Sequence, residues 1–523
     1  MSEKGIKEKS QHGPIVLLIL DGWGFAPPGP GNAVTTARTP VMDELFKKYP
    51  SAKLEASGKY VGLSEGQPGN SEAGHMNIGA GRIVDQEAVR ISKAVKDKSF
   101  FSNPVFIQAI RNVKKNNSKL HLMGMLTQKR SGHADPNHLR ALIKLARKQG
   151  IKKVYLHLFT DGRDSPQHAS LKLVEALIRE LDGELIATLM GRFYAMDRKK
   201  FWDRTQGAYN AMVLGKGMYA NSPQAAITES YNRQQTDEFI PPYVMKRKGK
   251  IVTTIEDKDS IIFFNFRSDR ARQLSKAFVQ KDFERKNKHS FKRKKVLKDL
   301  LFVAMTDFGP DLDRIITAYP SVEIKESLSM VLSGLKQYYI SESEKYAHVN
   351  YFFNGGYSAP IAGETRVRIP SPNIDSYDKT PEMSAVQTKQ HILKQLRSYD
   401  FIVANFANAD MMGHTGNFDS AVKAIEFLDN LIGEIRDAVL KADGTLIITS
   451  DHGNAEYMKN PITQEILTEH TVNLVPFIIV SNNKKIKLKK IKLPISCIAP
   501  TIIKLFGLPI PSEMTTKDIL SNF

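Results

Sequence analysis

The chain has 523 residues, of which 41% are hydrophobic and 25% are charged, and its formal net charge is +20. This composition is typical of a soluble globular protein with several domains, and no apolar stretch is long enough to cross a bilayer. The single cysteine, Cys497, excludes an internal disulfide framework and favours a reducing compartment. The apolar run Ile15–Leu20 is too short for a signal peptide and ends on Asp21, so we expect a cytoplasmic protein.

Short apolar runs alternate with longer stretches that carry apolar residues at helical spacing. This alternation predicts an α/β fold with parallel sheets. Helices are expected over His138–Gln149 and Ala421–Lys441, and Tyr338–Ser341 is strand-like. The other predicted strands are, in chain order, Ile15–Leu20, Lys119–Met123, Lys153–Phe159, Glu184–Leu189, Ser260–Phe266, Leu301–Met305, Phe401–Phe406, Thr445–Ser450 and Phe477–Val480.

Candidate metal ligands lie towards both ends of the chain, whereas arginine-rich clusters lie in its middle. This distribution predicts one discontinuous domain, residues 1–85 and 315–523, with a second domain, residues 86–314, inserted in it.

Much of the positive charge is concentrated in two segments. Between Lys281 and Leu300 there are nine Lys or Arg residues against three acidic ones, which predicts a solvated helix or insertion. Lys484–Lys492 alternates lysine with isoleucine and leucine, a pattern typical of an edge strand protected by lysines. Neither segment interleaves aromatic with basic residues as a single-strand nucleic-acid binder does, so we expect neither a nucleic-acid nor a membrane partner.

Aspartate and histidine side chains follow two of the apolar runs directly. Asp410 and His414 come after Phe401–Phe406, and Asp451 and His452 come after Thr445–Ser450. Because ligands bind at the carboxyl ends of strands in open α/β sheets, these side chains indicate a metal site, with two ions favoured over one. Mixed aspartate and histidine ligation suits Mn²⁺, Zn²⁺ or another borderline divalent ion better than Ca²⁺.

Two further residues are candidates for the same site. Asp21 ends the first strand and is a natural ligand, although the Asp-Gly-Trp-Gly sequence is equally compatible with a simple turn. His470 lies shortly before Phe477–Val480 and provides a third protein ligand beside Asp410 and His414, although a lone histidine is more often structural.

Ser71 is the candidate nucleophile. It follows Gly69-Asn70 and precedes helix formers, so its hydroxyl is expected at a helix N-terminus, where the dipole favours a phosphate or an alkoxide. A divalent ion on that oxygen makes it a usable nucleophile. The alternative is that Ser71 only caps the helix.

Three strand ends in the middle of the chain carry arginines. Arginine forks match carboxylate and phosphate oxygens two at a time, so several of them at strand ends indicate a small, highly anionic substrate. His133 follows another predicted strand and could join them, and Lys345 could bridge to a phosphate. The arginines and the neighbouring acid are Arg163 with Asp164, Arg192 with Arg198, and Arg267 with Arg270.

Together these motifs resemble those of the cofactor-independent (2,3-bisphosphoglycerate-independent) phosphoglycerate mutases of the alkaline phosphatase superfamily. The resemblance implies two α/β domains, an alkaline-phosphatase-like metal domain and an inserted phosphotransferase (substrate-binding) domain. The arginine-rich middle block makes it specific to the mutases, because the phosphatases of the superfamily lack that block. The matching stretches are LDGWG, GNSEAGHMNIGAGR, DGRD, GRFYAMDR, IIFFNFRSDRARQ, EKYAHVNYFFNGG, NADMMGHTG, TSDHGNAE and EHTVN, in family order.

The resemblance also implies residue roles in the metal domain. Ser71 matches the nucleophile that becomes phosphoserine, and Lys345 matches a lysine beside it. Mn²⁺ is the expected metal, with Co²⁺, Mg²⁺ and Zn²⁺ as alternatives, and bisphosphoglycerate is not required. The implied ligands are Asp410, His414 and His470 for one ion, and Asp21, Ser71, Asp451 and His452 for the other.

In the inserted domain, the resemblance implies a glycerate site and two in-line phosphoryl transfers between 3-phosphoglycerate, Ser71 and the 2-hydroxyl of the held glycerate. Asp164 is a candidate proton donor and acceptor for the hydroxyls, and Arg267 and Arg270 match phosphate-binding arginines. The groups that match glycerate-holding residues are His133, Arg163, Asp164, Arg192 and Arg198. The loop Thr127–Asp135 departs from the family pattern because it is more basic before His133. The resemblance implies a monomer.

Two other functions compete with this interpretation. A metal-dependent phosphatase or phosphopentomutase of the same superfamily predicts released phosphate or action on pentose phosphates, and it leaves the arginines without a clear role. A binding role for the basic surface predicts salt-sensitive binding of nucleic acid or anionic membrane that survives Ser71→Ala.

Overall fold

The structure is a computed structural model and describes residues 13–521. The chain divides into two compact units, unit 1 from Met1–Gln86 and Val322–Phe523 and unit 2 from Glu87–Ser321. The strands are β1 (Ile15–Leu20), β2 (Ser51–Leu54), β3 (Leu120–Leu126), β4 (Val154–Thr160), β5 (Leu185–Gly191), β6 (Met218–Ala220), β7 (Tyr243–Arg247), β8 (Lys250–Ile251), β9 (Ser260–Phe263), β10 (Leu301–Thr306), β11 (Ile315–Tyr319), β12 (Gln337–Glu342), β13 (Thr365–Ile369), β14 (Phe401–Phe406), β15 (Thr445–Thr449) and β16 (Val475–Ser481).

Helices connect most of these strands. Within the described residues, no helix is both long enough and apolar enough to span a membrane. The α-helices are α1 (Ala33–Thr36), α2 (Pro40–Lys48), α3 (Ser71–Ala80), α4 (Glu87–Asp97), α5 (Pro104–Asn116), α6 (Pro136–Lys148), α7 (Ser170–Glu180), α8 (Arg192–Ala195), α9 (Trp202–Leu214), α10 (Pro223–Asn232), α11 (Ser268–Val279), α12 (Phe283–Lys286), α13 (Leu328–Val331), α14 (Ala385–Gln395), α15 (Asn408–Thr415), α16 (Phe418–Lys441) and α17 (Ile498–Leu505).

Unit 1 is built on a seven-stranded sheet in the order β13-β12-β14-β1-β15-β16-β2. The strands from β13 to β15 are parallel, whereas β16 is antiparallel to both of its neighbours. The central strand β1 is fully buried, with Val16, Leu18 and Leu20 packed into one core cluster. Ile15, Leu17 and Ile19 pack into another. Because successive side chains of a strand point to opposite faces, this split shows that both faces of the sheet are covered.

Unit 2 is built on a nine-stranded sheet in the order β11-β10-β9-β3-β4-β5-β7-β6, with β8 paired to β7. The strands from β11 to β5 are parallel and β7 is antiparallel to β5. The predicted α/β class is therefore confirmed. The predicted strands occur with their ends shifted by one or two residues in most cases, and Ser260–Phe266 is shorter because pairing stops at Phe263.

The edge strand predicted at Lys484–Lys492 is wrong. Within this segment only Leu488 forms an isolated bridge, to Leu520. Ile486 is buried and Leu488 packs beside it on the unit 1 core, whereas the lysines at 484, 485, 487 and 490 are exposed. The alternation therefore comes from a loop that packs Ile486 and Leu488 inwards, whereas Ile491 is exposed.

Of the two alternatives predicted for Lys281–Leu300, the solvated helix is wrong, whereas the insertion stays a prediction. The segment contains only the four-residue helix α12 and is otherwise irregular. Phe283, Phe291 and Leu297 are buried in the core of unit 2. Arg293 is buried as well, because its guanidinium donates hydrogen bonds to the carbonyl oxygens of Ala277 (3.1 Å) and Gln280 (2.9 Å).

Candidate active site

Three neighbouring parallel strands of unit 1 end at one cluster of polar side chains. Asp21 directly follows β1, and its amide donates to the carbonyl of Phe406 at the end of β14. Asp410 lies in the first turn of α15, just after β14, and Asp451 and His452 follow β15. All four side chains are buried. The parallel register therefore places these groups at the carboxyl edge of the sheet, where α/β proteins bind ligands.

The predicted metal-site residues converge in two overlapping groups. The ligand atoms of Asp21, Asp451 and His452 lie within 4.8 Å of one another, and so do those of Asp410, His452 and His470. His414 completes the second group, because its Nε2 lies 3.4 Å from Asp410 Oδ1 and 3.0 Å from His470 Nε2. Asp410 and His414 share one face of α15 because they are four residues apart.

Ser71 is the first residue of α3, and its hydroxyl faces the cluster. The Ser71 Oγ atom lies 3.0 Å from His452 Nε2 and 3.3 Å from Asp21 Oδ1. The helix cap is the preceding residue, Asn70, whose side chain accepts a hydrogen bond from the amide of Ala73. The cap is thus provided without Ser71, which leaves the serine oxygen available for chemistry.

Lys345 places a positive charge in the middle of the cluster. It ends a short 3₁₀ turn after β12, and its Nζ lies 2.8 Å from Asp21 Oδ1, 2.6 Å from Asp410 Oδ2 and 3.0 Å from Ser71 Oγ. Burial is the largest single influence and raises the pKa of both carboxyl groups, but the ammonium of Lys345 and the neighbouring histidines together outweigh it, so both pKa values are lowered. Burial lowers the pKa of Lys345 itself, and the carboxylates outweigh this and raise it.

The charge balance also affects His452. Burial alone lowers the pKa of His452, but the nearby carboxylates, Asp451 first, raise it to about 10. Asp451 Oδ2 is buried, and among residues 13–521 it accepts no hydrogen bond, although His75 Nδ1 lies 3.2 Å away. Such an oxygen is costly to bury without a cation or a donor. These carboxylates and imidazoles fit a divalent metal ion of the borderline class.

The sequence interpretation missed four buried residues that support this cluster. Asn405 donates to Asp21, Asn454 donates to Asp410, and His75 contacts Asn405. Glu456 accepts hydrogen bonds from the amides of Gly24 and Asn454 and from the side chains of Thr471 and Asn473. Glu456 thereby joins the three loops that carry Asp21, His452 and His470. One of these residues, Asn405, could have been noticed in the sequence, because its amide side chain interrupts the otherwise apolar run of β14.

In unit 2, the arginines gather at the carboxyl edge of the sheet. Arg192 is buried, and its NH1 atom lies 2.7 Å from Asp161 Oδ1 and 3.4 Å from Asp164 Oδ2. Asp269 pairs with both Arg198 (2.5 Å) and Arg267 (3.0 Å). These ion pairs gather Arg192, Arg198 and Arg267 with their aspartates into one cluster, here called the arginine group.

His133 and Arg270 belong to the same group, as their electrostatics show. Burial, and next the charges of Arg192 and Arg267, lower the pKa of His133 to about 3, so its imidazole is neutral at physiological pH. Burial, and next Arg192 and Arg198, also lower the pKa of Arg270. Although Asp161, Asp164 and Asp269 pair with some of these arginines, the guanidinium groups gathered here suit the oxygen atoms of a small anion.

Arg163 lies at the exposed side of this edge. Its side chain is 55% exposed, and its Nε lies 2.8 Å from a carboxylate oxygen of Glu238. In the atypical loop, Arg130 pairs with Asp135 at 2.7 Å and donates a hydrogen bond to Ser92. The added positive charge of this loop is thus partly neutralised within the loop itself.

Comparison with known proteins identifies both units. The family model "BPG-independent PGAM N-terminus" matches residues 91–310, and the model "Type I phosphodiesterase / nucleotide pyrophosphatase" matches residues 322–500. Unit 1 therefore contains a metal-cluster domain of the phosphodiesterase class, and unit 2 contains the domain specific to one group of mutases.

Relatives that match nearly the whole chain show which family of mutases it resembles. The chain is 48% identical over 514 residues to 2,3-bisphosphoglycerate-independent phosphoglycerate mutase of Clostridium botulinum, covering 97% of this chain and 99% of that protein. It is 48% identical over 517 residues to the Methanosarcina barkeri mutase 1, covering 97% and 98%. A crystal structure of Leishmania mexicana phosphoglycerate mutase at low cobalt concentration is 28% identical, covers 98% of both chains and has a TM-score of 0.72.

The chain belongs to the family of 2,3-bisphosphoglycerate-independent phosphoglycerate mutases. The resemblance drawn from the sequence motifs is confirmed, as is the class of two α/β domains. The family and the clustered aspartates and histidines together imply a centre that binds divalent metal ions.

Proposed function

We propose that this protein interconverts 3-phosphoglycerate and 2-phosphoglycerate through a phosphoserine at Ser71, using two divalent metal ions and no 2,3-bisphosphoglycerate. The observation that carries the proposal is the environment of Ser71 Oγ. It lies at the start of α3, within hydrogen-bond distance of Lys345 Nζ and His452 Nε2. A hydroxyl in this position can attack phosphorus while positive charge stabilises the transferring group.

Seven side chains would hold the metal ions. Asp410, His414 and His470 would hold one ion, and Asp21, Ser71, Asp451 and His452 the other. Mn²⁺ is the proposed metal because mixed oxygen and nitrogen donors suit a borderline divalent ion. When bound, two such ions neutralise charge on the phosphoryl group and lower the pKa of the nucleophilic hydroxyl.

The first transfer forms the Oγ–phosphorus bond as the bond from phosphorus to the 3-oxygen of the glycerate breaks. Lys345, whose ammonium remains charged, stabilises the transferring group. Asp164 gives a proton to the departing 3-oxygen. In the second transfer the bond from phosphorus to the 2-oxygen forms as the Oγ–phosphorus bond breaks, and the 2-hydroxyl gives its proton to Asp164. Ser71 releases its hydroxyl proton to solvent before the first transfer, a loss that bound metal ions would favour. The serine alkoxide and the Asp164 carboxyl group therefore both end the cycle unchanged.

The arginine group of unit 2 would hold the glycerate while it reorients. Arg192 is fixed by Asp161, and Arg198 and Arg267 are fixed by Asp269, so these guanidinium groups are preorganised for carboxylate and phosphate oxygens. His133, held neutral, can donate or accept a hydrogen bond without adding charge. Arg163 and Arg270 complete the proposed binding set. A held glycerate favours return of the phosphoryl group to the substrate over its loss to water.

The test is conversion of 3-phosphoglycerate by metal-stripped protein, with and without added Mn²⁺ and without bisphosphoglycerate. We expect activity that requires the metal and is absent in Ser71→Ala, and a phosphoserine at residue 71 when the reaction is quenched. Release of inorganic phosphate without 2-phosphoglycerate would instead identify a phosphatase. No turnover with any divalent ion would contradict the proposal.

A further inference from the structure

We propose that two buried asparagines, Asn405 and Asn454, are positioning residues that each hold one carboxylate of the cluster. Asn405 holds Asp21, and Asn454 holds Asp410. This inference rests on the proposed two-metal function, and it adds that each metal site has its own supporting amide. The consequence is that the two sites can be weakened separately.

Asn405 directs the Asp21 carboxylate. Its Nδ2 donates to Asp21 Oδ2 at 2.7 Å. The other oxygen, Asp21 Oδ1, lies within 3.4 Å of Lys345 Nζ, Ser71 Oγ and His452 Nε2. Asn405 thus fixes one oxygen at the rear of the cluster so that the other faces the nucleophile. The carboxamide can be oriented only one way, because its oxygen would repel the carboxylate.

His75 extends this support to the rest of the same site. Its Nε2 lies 3.1 Å from Asn405 Nδ2 and accepts a hydrogen bond from that amide. The ring proton is therefore on Nδ1, which lies 2.9 Å from the main-chain oxygen of Ser71 and 3.2 Å from Asp451 Oδ2. The amide therefore holds the Asp21 carboxylate, and the imidazole links that amide to the main chain of Ser71 and lies beside the Asp451 carboxylate.

Asn454 serves the other proposed site. Its Nδ2 donates to Asp410 Oδ1 at 2.9 Å, the oxygen that also faces His414 and His470. The backbone amide of Asn454 donates to Gly22 and Glu456, which fixes the residue in place. A Cβ atom on Gly413 would lie 2.1 Å from Asn454 Oδ1, so this glycine is needed for the close approach of the side chain to α15.

The two amides are less well satisfied than a packing role requires. The Oδ1 atoms of Asn405 and Asn454 are buried, and neither finds a hydrogen-bond partner within residues 13–521. Leaving such an atom unpaired costs about 1–3 kcal/mol. Asn354, equally buried in unit 1, uses both ends of its carboxamide, accepting from Ser329 and donating to Glu364. Asn350 and Asn408 also have an unpaired Oδ1, but their amides donate to main-chain oxygens of Tyr346 and Pro381, whereas those of Asn405 and Asn454 donate to carboxylates.

The experiment measures Mn²⁺ binding to metal-stripped full-length protein by calorimetry, and the absorption spectrum of bound Co²⁺. Wild type is expected to bind two Mn²⁺ ions in two separate binding steps. The step that is weakened in His414→Gln is the one that belongs to the Asp410 site. Asn454→Ala should weaken that same step about 10–100-fold, whereas Asn405→Ala should weaken only the other step by a similar factor. Asn354→Ala is the matched control and should leave both affinities unchanged.

Two further variants keep the test decisive if an alanine variant does not fold. Asn405→Asp is nearly isosteric but places an acceptor against Asp21, and Gly413→Ala displaces the Asn454 side chain sterically. Each should weaken the same step as the corresponding alanine variant. The inference would be overturned if wild type binds two ions but the asparagine variants weaken both binding steps equally or weaken neither. That result would leave the two-metal proposal standing. Fewer than two ions bound to wild type would overturn both.

Discussion

Lys345 Nζ lies 3.0 Å from Ser71 Oγ, and the two side chains share a pocket that solvent barely reaches. The ammonium also contacts carboxylate oxygens of Asp21 and Asp410, which raise its pKa and keep it charged. In the proposed mechanism a fixed charge in such a buried site would act on the transferring phosphoryl group with little screening.

The first prediction concerns this lysine. We expect Lys345→Met to lower kcat by about 10²–10³-fold, because a preorganised charge on the transition state is lost. Steady-state kinetics with 3-phosphoglycerate at saturating Mn²⁺ checks this. Lys441→Met, which removes an exposed lysine of unit 1, is the control. A Lys345→Met enzyme with wild-type kcat would exclude a role in the chemical step.

The second prediction separates the helix cap from the nucleophile. Asn70→Ala removes the side chain that accepts from the Ala73 amide, so we expect unfolding free energy to fall by about 1 kcal/mol. Ser71→Ala should abolish turnover and leave the cap intact. Urea unfolding and the mutase assay, applied to both variants, measure the two effects. A larger loss of stability in Ser71→Ala than in Asn70→Ala would contradict this division.

The third prediction concerns the arginine group. Arg267→Gln should lower kcat/KM for 3-phosphoglycerate by about 10–100-fold, because a charge-assisted hydrogen bond contributes about 1.5–3 kcal/mol. Mn²⁺ affinity should stay unchanged, since the proposed metal ligands all lie in unit 1. Arg272→Gln removes an arginine of the same helix region that pairs with Asp311 instead, and should leave kcat/KM near the wild-type value. Equal losses in the two variants would point to a general charge effect.

The fourth prediction is a pH dependence of the stability of unit 2. His121 and His157 form a buried chain, with His121 Nδ1 2.9 Å from His157 Nε2 and His121 Nε2 3.0 Å from Asp259 Oδ2. Burial lowers the pKa of both histidines below the ordinary value of 6.5. The unfolded state therefore binds more protons below pH 6.5, so stability is present above that pH and is lost as the pH falls.

Each buried histidine should contribute up to about 1.4 kcal/mol per pH unit to this loss. Denaturant unfolding at pH 7.5 and pH 5.0 would measure it, with Trp202 as the probe of unit 2 in a Trp23→Phe background. In His157→Gln the difference between the two pH values should shrink. An unchanged difference would show that these histidines do not cause the acid sensitivity.

The sequence was informative where a polar group interrupts an apolar pattern at the end of a strand. Asp21, Asp410 and Asp451 could be predicted because each follows a run of buried residues, and parallel strands bring their ends together. Asn454 was missed because a single amide beside a stronger motif gives no periodic signal, and Asn405 interrupts the apolar run of β14 without indicating which residue it contacts. Their importance appears only when the partner carboxylates, distant in sequence, are placed beside them.

The two wrong segments have a common physical cause. Alternating lysine with isoleucine or leucine in Lys484–Lys492 matches a strand, but a loop that packs Ile486 inwards produces the same pattern. In Lys281–Leu300 the charges suggested solvation, whereas main-chain carbonyl oxygens satisfy the guanidinium of Arg293 and allow its burial. Tertiary hydrogen bonds of this kind leave no trace in local composition.

The strand order of unit 1 also has a consequence for synthesis on the ribosome. The central strand β1 lies between β14 and β15, and the contact between Asn405 and Asp21 joins positions 384 residues apart. At about 5–20 residues per second, the apolar segment Ile15–Leu20 waits about 20–80 s for its neighbours. Unit 2 is continuous in sequence and is completed during that interval. The nascent chain therefore carries the apolar segment Ile15–Leu20 without its strand partners for most of its translation, which exposes it to aggregation during that time.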